Sequence, residues 1–194
     1  MFPAIHRNTR VIVNLSSIKQ NIKAVKKHYT NTDIFAVVKA NAYGHGMVEV
    51  AKAAHEEGVA GFCVALLDEA IQLRQEGFQE PILILGISRL EDVPVLCDYR
   101  ISTTVSSLDW LEKAQTLIPD GKKLIIHLAI DTGMGRIGVR TPEEVQVIEQ
   151  FLRENTSQFV FEGIFTHFAT ADEADTNQFE HQLIVFNKCV EALE

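Results

Sequence analysis

Cysteine is scarce in this sequence: Cys63, Cys97 and Cys189 stand far apart, and none belongs to a CxxC pair. That spacing excludes a disulfide framework and a zinc knuckle. Cys63 sits in the apolar run GFCVALL, which predicts a buried, reduced thiol. Positive charge is also short, with 18 Lys and Arg against 26 Asp and Glu and a net charge of −8. Nonspecific nucleic-acid binding depends on clustered basic residues, so that balance argues against it. The one basic cluster, Lys19, Lys23, Lys26 and Lys27, has the spacing of a solvated helix face. Long hydrophobic runs are missing: FAVV and PILILG are far too short to cross a bilayer. The opening MFPAIHRNTR has no apolar core of a secretory leader. A soluble cytoplasmic protein is the expectation. No Pro/Gly-rich linker or change in composition divides the chain, so residues 1–194 are expected to form one domain.

What is present is an alternation of short β-rich runs and amphipathic runs. Strands are expected at Arg10–Leu15, Ile34–Lys39, Gly61–Leu66, Ile82–Gly86, Ile101–Val105, Leu124–Ile130 and Phe159–Thr166. PILILG, FAVV and LIIHLAI are nearly continuous apolar runs, as in strands covered on both faces of a parallel sheet. Helices are expected between them. IKQNIKAVKKHY follows capping side chains in Asn14–Ser17. MVEVAKAAHEEG and LDEAIQLRQEG stop at Gly58 and Gly77. SLDWLEKAQTLI runs up to Pro119, and TPEEVQVIEQFLREN starts on Thr141 and Pro142. The last run, FEHQLIVFNKCVEALE, is helix-like. Repeated βα units predict an α/β fold, either a (β/α)8 barrel or a doubly wound sheet.

Four polar groups fall at expected strand ends. Lys39 closes an apolar strand, and the carboxyl end of a parallel strand faces the active site in such folds. Partial desolvation there favours the neutral, nucleophilic amine that Schiff-base formation with an aldehyde requires. The plain alternative is a lysine leaving the sheet for solvent. Residues 40–46, ANAYGHG, follow at once. Gly44 and Gly46 free the backbone ahead of a helix, where N–H groups can face an anion, and the Tyr43 hydroxyl can donate to a phosphate oxygen. The same residues also suit a simple tight turn, and His45 reads as a loop residue. In DTGMGRIG, Gly133, Gly135 and Gly138 spell GxGxxG, yet the helix signal at Thr141–Pro142 lies beyond all three. A dinucleotide fingerprint needs its third glycine inside the helix's first turn, so an NAD-dependent dehydrogenase is disfavoured. Arg136 in that loop can instead donate to an anionic oxygen. His167 closes the run FVFEGIFTH, where an imidazole can stack on or bond to a bound ring. Asp172, five residues on, is too loosely placed to make a metal pair with it, and no metal is expected.

At these residues the chain resembles the N-terminal barrel of bacterial alanine racemases. AVVKANAYGHG carries most of the likeness; DTGMGRIG and GIFTHFATAD follow in the family's order and spacing. GFCVALLDEAIQLRQEG and PILILG resemble its barrel elements, and the likeness runs from about residue 5 to the end. It implies a pyridoxal 5'-phosphate enzyme of fold type III, a (β/α)8 barrel followed by a β-rich domain, acting as a homodimer. It implies interconversion of L- and D-alanine for cell-wall peptidoglycan by two bases on opposite faces of Cα. Residue by residue, it implies that Lys39 is the Schiff-base lysine and one catalytic base and that Tyr43 is a phosphate contact. Arg136 would be the donor to the cofactor's phenolic oxygen and a substrate contact. His167 would lie against the pyridine ring, and Leu85 would form part of the wall beside it.

The chain departs from the family in two respects. The family's second base, a tyrosine reaching across from the partner subunit, belongs to the C-terminal domain; the last barrel strand and the segments that bind the phosphate and pyridine nitrogen also come later in the family's chain. The expectation is a barrel truncated before its last strand, without that β domain and without turnover of its own. The other departure is Ala129 in HLAID, where relatives usually carry a lysine, often carbamylated, that pairs with the arginine matching Arg136. Lys122 and Lys123 lie upstream of the strand and are poor replacements. The competing readings are a serine or broad-spectrum racemase, a decarboxylase or aldolase on the same barrel, and a non-catalytic barrel protein that binds pyridoxal phosphate.

Overall fold

The computed structural model describes residue 8 and residues 10–193; most of the stretch read for a leader lies outside them. Six strands form one sheet: β1 (Phe35–Val37), β2 (Gly61–Val64), β3 (Ile82–Ile87), β4 (Ser102–Val105), β5 (Leu124–Ala129) and β6 (Phe159–Phe165). They lie side by side in chain order, each parallel to the next. Parallel neighbours cannot be joined by a hairpin, so every step is made by a crossover. A constant handedness of crossover places each new strand on the same side of the last, which yields this order.

The crossovers are helical. They include α1 (Leu15–His28) ahead of β1, α3 (Met47–Glu56), α4 (Leu67–Gln75), α5 (Val93–Tyr99), α6 (Leu108–Gln115), α7 (Pro142–Glu154) and α8 (Asn177–Glu191). Start signals fall where the sequence puts them. Asn14 accepts from the Ser17 N–H at 3.2 Å, and Ser107 accepts from the Trp110 N–H at 3.3 Å. Thr141 and Glu144 form a reciprocal capping box with Pro142 at the first helical position. The short helix α5 has no start signal in the sequence pattern; Pro94 lies in its first turn, where no N–H is needed.

One expected strand is absent. Arg10–Leu15 is unpaired, and α1 already begins at Leu15. Val11 and Ile12 are 85% and 86% exposed, so their alternating apolar pattern meets no sheet neighbour among the described residues. The sheet therefore has six strands where the pattern suggested seven. The basic cluster on α1 is also more than a solvated face. Lys19 pairs with Glu56, Lys23 lies 3.3 Å from Glu57, and Lys26 donates to the Glu57 and Gly58 carbonyls at 2.8 and 2.9 Å. These bonds cap the last turn of α3 and dock α1, which buries no residue fully, onto it.

The core forms where the helices cover the sheet. Val38, Phe62, Val64, Leu73, Ile82, Ile84, Leu96, Ile126, Leu128 and Ile148 belong to one buried cluster. Burial pushes the Cys63 and Cys97 thiols up to about 11, so both stay protonated near neutrality; Cys63 is buried, as its apolar run led us to expect. No described helix is long and apolar enough to cross a membrane.

Gly61 marks how tightly β1, β2 and β3 meet. A Cβ there would fall 2.7 Å from the Phe35 ring and 2.8 Å from the Pro81 carbonyl oxygen. Substituting Gly61→Ala is expected to destabilise the fold by about 1–3 kcal/mol, the usual cost of overpacking a rigid site. Urea denaturation should show a lower midpoint with an unchanged slope.

Candidate active site

The site begins where β1 ends. Val38 is fully buried, its N–H bonded to the Cys63 carbonyl at 2.9 Å, so the chain leaves the sheet one residue before Lys39. Lys39 is half-buried, and its charge opposes the burial effect at the Cys63 thiol on the neighbouring strand. The segment α2 (Lys39–Tyr43) is not an ordinary helix. Ala40, Asn41, Ala42 and Tyr43 all have φ between 50° and 56°, and three of them have ψ of 44–50°. This is a turn of left-handed helix made without glycine. Each such residue costs roughly 1–2 kcal/mol relative to the right-handed form.

The surroundings hold that turn in place. The Ala40 N–H donates to Glu69 at 2.6 Å, and the same carboxylate accepts from the Ala65 and Leu66 N–H groups at 2.8 and 3.2 Å. Asn41 Oδ1 accepts from the Met47 N–H at 2.8 Å and so caps α3. The Gly44 N–H bonds to the Ala40 and Asn41 carbonyls, and the Gly46 N–H to the Asn41 carbonyl at 2.9 Å. Gly44 and Gly46 have φ of 87° and 95°, as a turn feeding a helix requires. Their N–H groups are spent inside the turn, however, and do not form the open anion cradle that the motif suggested. Tyr43 is 61% exposed, with a hydroxyl that meets no hydrogen-bond partner among the described residues.

The glycine loop after β5 is built around Asp131. Its Oδ1 accepts from the Gly133 and Gly135 N–H groups at 3.2 and 2.8 Å, and its Oδ2 from Arg140 Nε at 3.2 Å. Burial alone would raise the Asp131 carboxyl, but the two backbone donors and the Arg140 guanidinium outweigh it and hold the group below the usual aspartate range. Gly138, at φ 124°, passes so close to the strand end that a Cβ would meet the Asp131 nitrogen at 2.4 Å. The three glycines thus fold a loop back on β5, with α7 starting beyond it, and do not open a nucleotide-binding helix. Arg136 is exposed on this loop.

His167 follows β6 in the next loop. That loop is anchored by Gln182, a wholly buried amide of α8. Its Nε2 donates to the Thr132 hydroxyl at 2.9 Å and the His167 carbonyl at 3.0 Å, and its Oε1 accepts from the Ala169 N–H at 2.9 Å. The Thr132 and Thr166 hydroxyls lie 2.8 Å apart and join the two loops. Arg136 and His167 line one small pocket together with Ala129, Asp131, Met134, Phe165 and Thr166. Lys39 and Tyr43 stand on the same rim of strand ends but at β1, the other edge of the sheet; half-buried Leu85 lies between them on β3. Lys122 pairs with Asp98 away from Arg136, and Ala129 is buried with no charge to offer. No cluster of candidate metal ligands occurs among the described residues, and Asp172 is exposed.

A cavity of about 350 Å³ opens at the opposite, amino end of the strands, lined by Arg74, Tyr99, Arg100, Ser102, Ile125 and Glu162. Arg74 and Glu162 in it bond to the backbone and to neighbouring side chains. Arg74 donates to the carbonyls of Tyr99, Phe78, Glu80 and Arg100 at 2.7–2.9 Å, and Glu162 accepts from Ser102 at 2.7 Å and lies 2.9 Å from His127. In barrels of parallel strands, that end serves stability and the carboxyl end serves chemistry.

Glu69, Asp131 and Gln182 were not singled out by the sequence reading. Glu69 had a signal, a carboxylate three residues after a helix start; Asp131 lay inside a motif read for its glycines, and Gln182 had none.

Sequential parallel strands joined by helical crossovers define the class: an α/β domain with six parallel strands in an open sheet, whose candidate site residues stand toward the strands' carboxyl ends. Residues 13–194 match the family described as alanine racemase, N-terminal domain, and the chain belongs to that family. It is 52% identical over 182 residues to an alanine racemase of Lactiplantibacillus plantarum, covering 92% of this chain and 48% of that one. The crystal structure of alanine racemase from E. faecalis superposes with a TM-score of 0.93 at 48% identity, covering all of this chain and 53% of that one. A histidine racemase from Leuconostoc mesenteroides superposes at 0.85 with 30% identity, covering 90% and 47%. The chain spans about half the length of the curated relatives it matches.

The lowered Asp131 carboxyl has a consequence for stability. A group whose folded pKa is depressed stabilises the fold above its unfolded pKa, about 3.9 for aspartate, and loses that contribution as pH falls through the folded value. Wild type should therefore exceed Asp131→Asn in denaturation midpoint from neutral pH to about pH 4. Below that, the gap should close.

Proposed function

We propose that this chain is the cofactor-binding half of a pyridoxal 5'-phosphate-dependent alanine racemase that interconverts L- and D-alanine for peptidoglycan synthesis. The observation that carries the reading is Lys39, half-buried at the carboxyl end of β1 and immediately ahead of a left-handed turn, on the rim that also bears Arg136 and His167.

The donor set fits pyridoxal 5'-phosphate. Lys39 offers a primary amine for the aldehyde, and the unpartnered Tyr43 hydroxyl offers a donor to the phosphate. Arg136 offers a guanidinium to the phenolic oxygen, and His167 and Leu85 offer an imidazole and an apolar wall to the ring. Bound there, the cofactor supplies an electron sink for the negative charge left at Cα. Lys39 Nζ then holds or returns the proton on one face of the substrate Cα. Racemisation needs a second acid–base group on the opposite face. In this reading, as the family resemblance implies, it is a tyrosine of a C-terminal β-rich domain, reaching across a homodimer from the partner subunit. That domain and the strands completing an eight-stranded barrel belong to the remainder of a longer cytoplasmic protein.

The histidine racemase likeness bears on substrate choice. A half-chain superposing at a TM-score of 0.85 occurs in a protein of that name, so the fold of this half does not by itself fix which amino acid is taken. Serine and broad-spectrum racemisation are therefore the nearest alternatives.

The test is spectroscopic. Full-length protein with pyridoxal 5'-phosphate should show a visible absorbance band that Lys39→Ala abolishes, together with D/L-alanine interconversion. A band that survives the substitution overturns the assignment. Tyr43→Phe should weaken cofactor affinity by about tenfold to a hundredfold, the worth of one hydrogen bond to a charged group, while the band keeps its position.

A further inference from the structure

We propose that Glu69 is a positioning residue for Lys39: its carboxylate ties the backbone immediately after the lysine to the turn between β2 and α4. This inference rests on the reading of Lys39 as the cofactor lysine.

The geometry is a clasp between two strand ends. Glu69 stands in the first turn of α4, whose preceding residue, Leu66, has no polar side chain with which to cap the helix. Glu69 Oε2 takes over part of that task by accepting from the Leu66 N–H at 3.2 Å and the Ala65 N–H at 2.8 Å. A cap needs no more. The other oxygen is free for a second task, and Oε1 accepts from the Ala40 N–H at 2.6 Å, 29 residues away in sequence. A carboxylate accepting N–H bonds makes the strong, charge-assisted kind.

The recipient is the first residue of the left-handed turn. Ala40, at φ 50° and ψ 49°, is where the chain departs from the strand's conformation, and Lys39 is the residue just before it. Without an acceptor, the Ala40 N–H would lose the bond that fixes this junction, and the strained residues after it could relax toward right-handed φ values. Lys39 would then pivot about its own backbone. The rest of the turn has its own ties through Asn41, Gly44 and Gly46, so the expected damage is local misplacement of the lysine and not loss of the fold.

The experiment compares Glu69→Gln, Glu69→Ala and Asn14→Ala in the full-length protein loaded with pyridoxal 5'-phosphate. Asn14 caps α1 and touches none of the site residues, so it reports what a lost cap does alone. The glutamate variants should lower kcat by about tenfold or more with KM for alanine within about twofold, as misplacement of a reacting group does. The pH midpoint of their visible band should also move by about half a unit or more, because the nitrogen joined to the cofactor sits in a changed setting. Asn14→Ala should lower Tm and leave kcat and the midpoint alone. Should Glu69→Ala fail to fold, the isosteric Glu69→Gln decides. Wild-type kcat and an unmoved midpoint in Glu69→Gln overturn the proposal. Lys39→Ala, run in parallel, tests the underlying reading separately, through the presence or absence of the band itself.

Discussion

The left-handed turn after β1 is the constraint on which the site depends. Four consecutive residues with side chains, Ala40 to Tyr43, occupy a conformation that L-residues visit singly and at a cost. Such a segment persists only where the structure around it determines its path more strongly than its own preferences do. Here the determinants are explicit. Ala42 is buried and its N–H bonds to the Val38 carbonyl at 2.8 Å; Asn41 spans from the turn to the start of α3; Glu69 seizes the turn's first N–H. Because Lys39 immediately precedes the turn, its backbone is fixed on one side by the buried end of a strand and on the other by a set of bonds with little slack.

The same device recurs at the other edge of the sheet. Asp131, like Glu69, is a carboxylate that gathers backbone N–H groups from the loop it belongs to, and it reaches Arg140 as well. Gln182 does for the β6 loop, with an amide, what the carboxylates do for theirs. Each rim loop is thus tied by a buried or half-buried acceptor, from the loop itself or from a neighbouring helix. The consequence is preorganisation: the loops bearing Lys39, Arg136 and His167 are shaped by internal bonds and do not depend on a bound group for their form. Among the described residues the Tyr43 hydroxyl and the Arg136 guanidinium have no hydrogen-bond partner, and both are assigned to an anionic cofactor in the proposed reading.

Much of the fold was legible in the sequence because it rests on local signals. Apolar runs located six strands within a few residues, and caps such as Asn14, Ser107 and Thr141 marked helix starts where the backbone confirms them. The failure at Arg10–Leu15 is instructive. Alternation there says only that one face is apolar, while a strand also needs a neighbour to bond to, and no neighbour is encoded locally. The positions of Lys39, Arg136 and His167 at strand ends were readable for the same reason as the strands. Their supports were not. Glu69 reaches Ala40 across 29 residues and Gln182 reaches Thr132 across 50, and both bonds exist only once adjacent strands are in register. The hand of the turn was equally hidden: ANAYGHG contains two glycines that announce a turn, but the strained residues are the four ahead of them.

The two ends of the sheet divide the labour in a way that follows from the chemistry of parallel strands. At the amino end, Arg74 spends its guanidinium on four carbonyls, and Glu162 is shared by Ser102 and His127, so charged groups serve to close loops. At the carboxyl end, Glu69, Asp131 and Gln182 hold the loops mainly by accepting from backbone N–H groups, and Arg136 has no partner among the described residues. A charged group committed to several carbonyls cannot also bind a ligand without leaving those carbonyls unsatisfied, at a cost of about 1–3 kcal/mol each where they are buried. In the larger opening Arg74 and Glu162 are in use, whereas the small pocket holds Arg136, which has no partner among the described residues; this contrast supports the carboxyl-end rim as the candidate site.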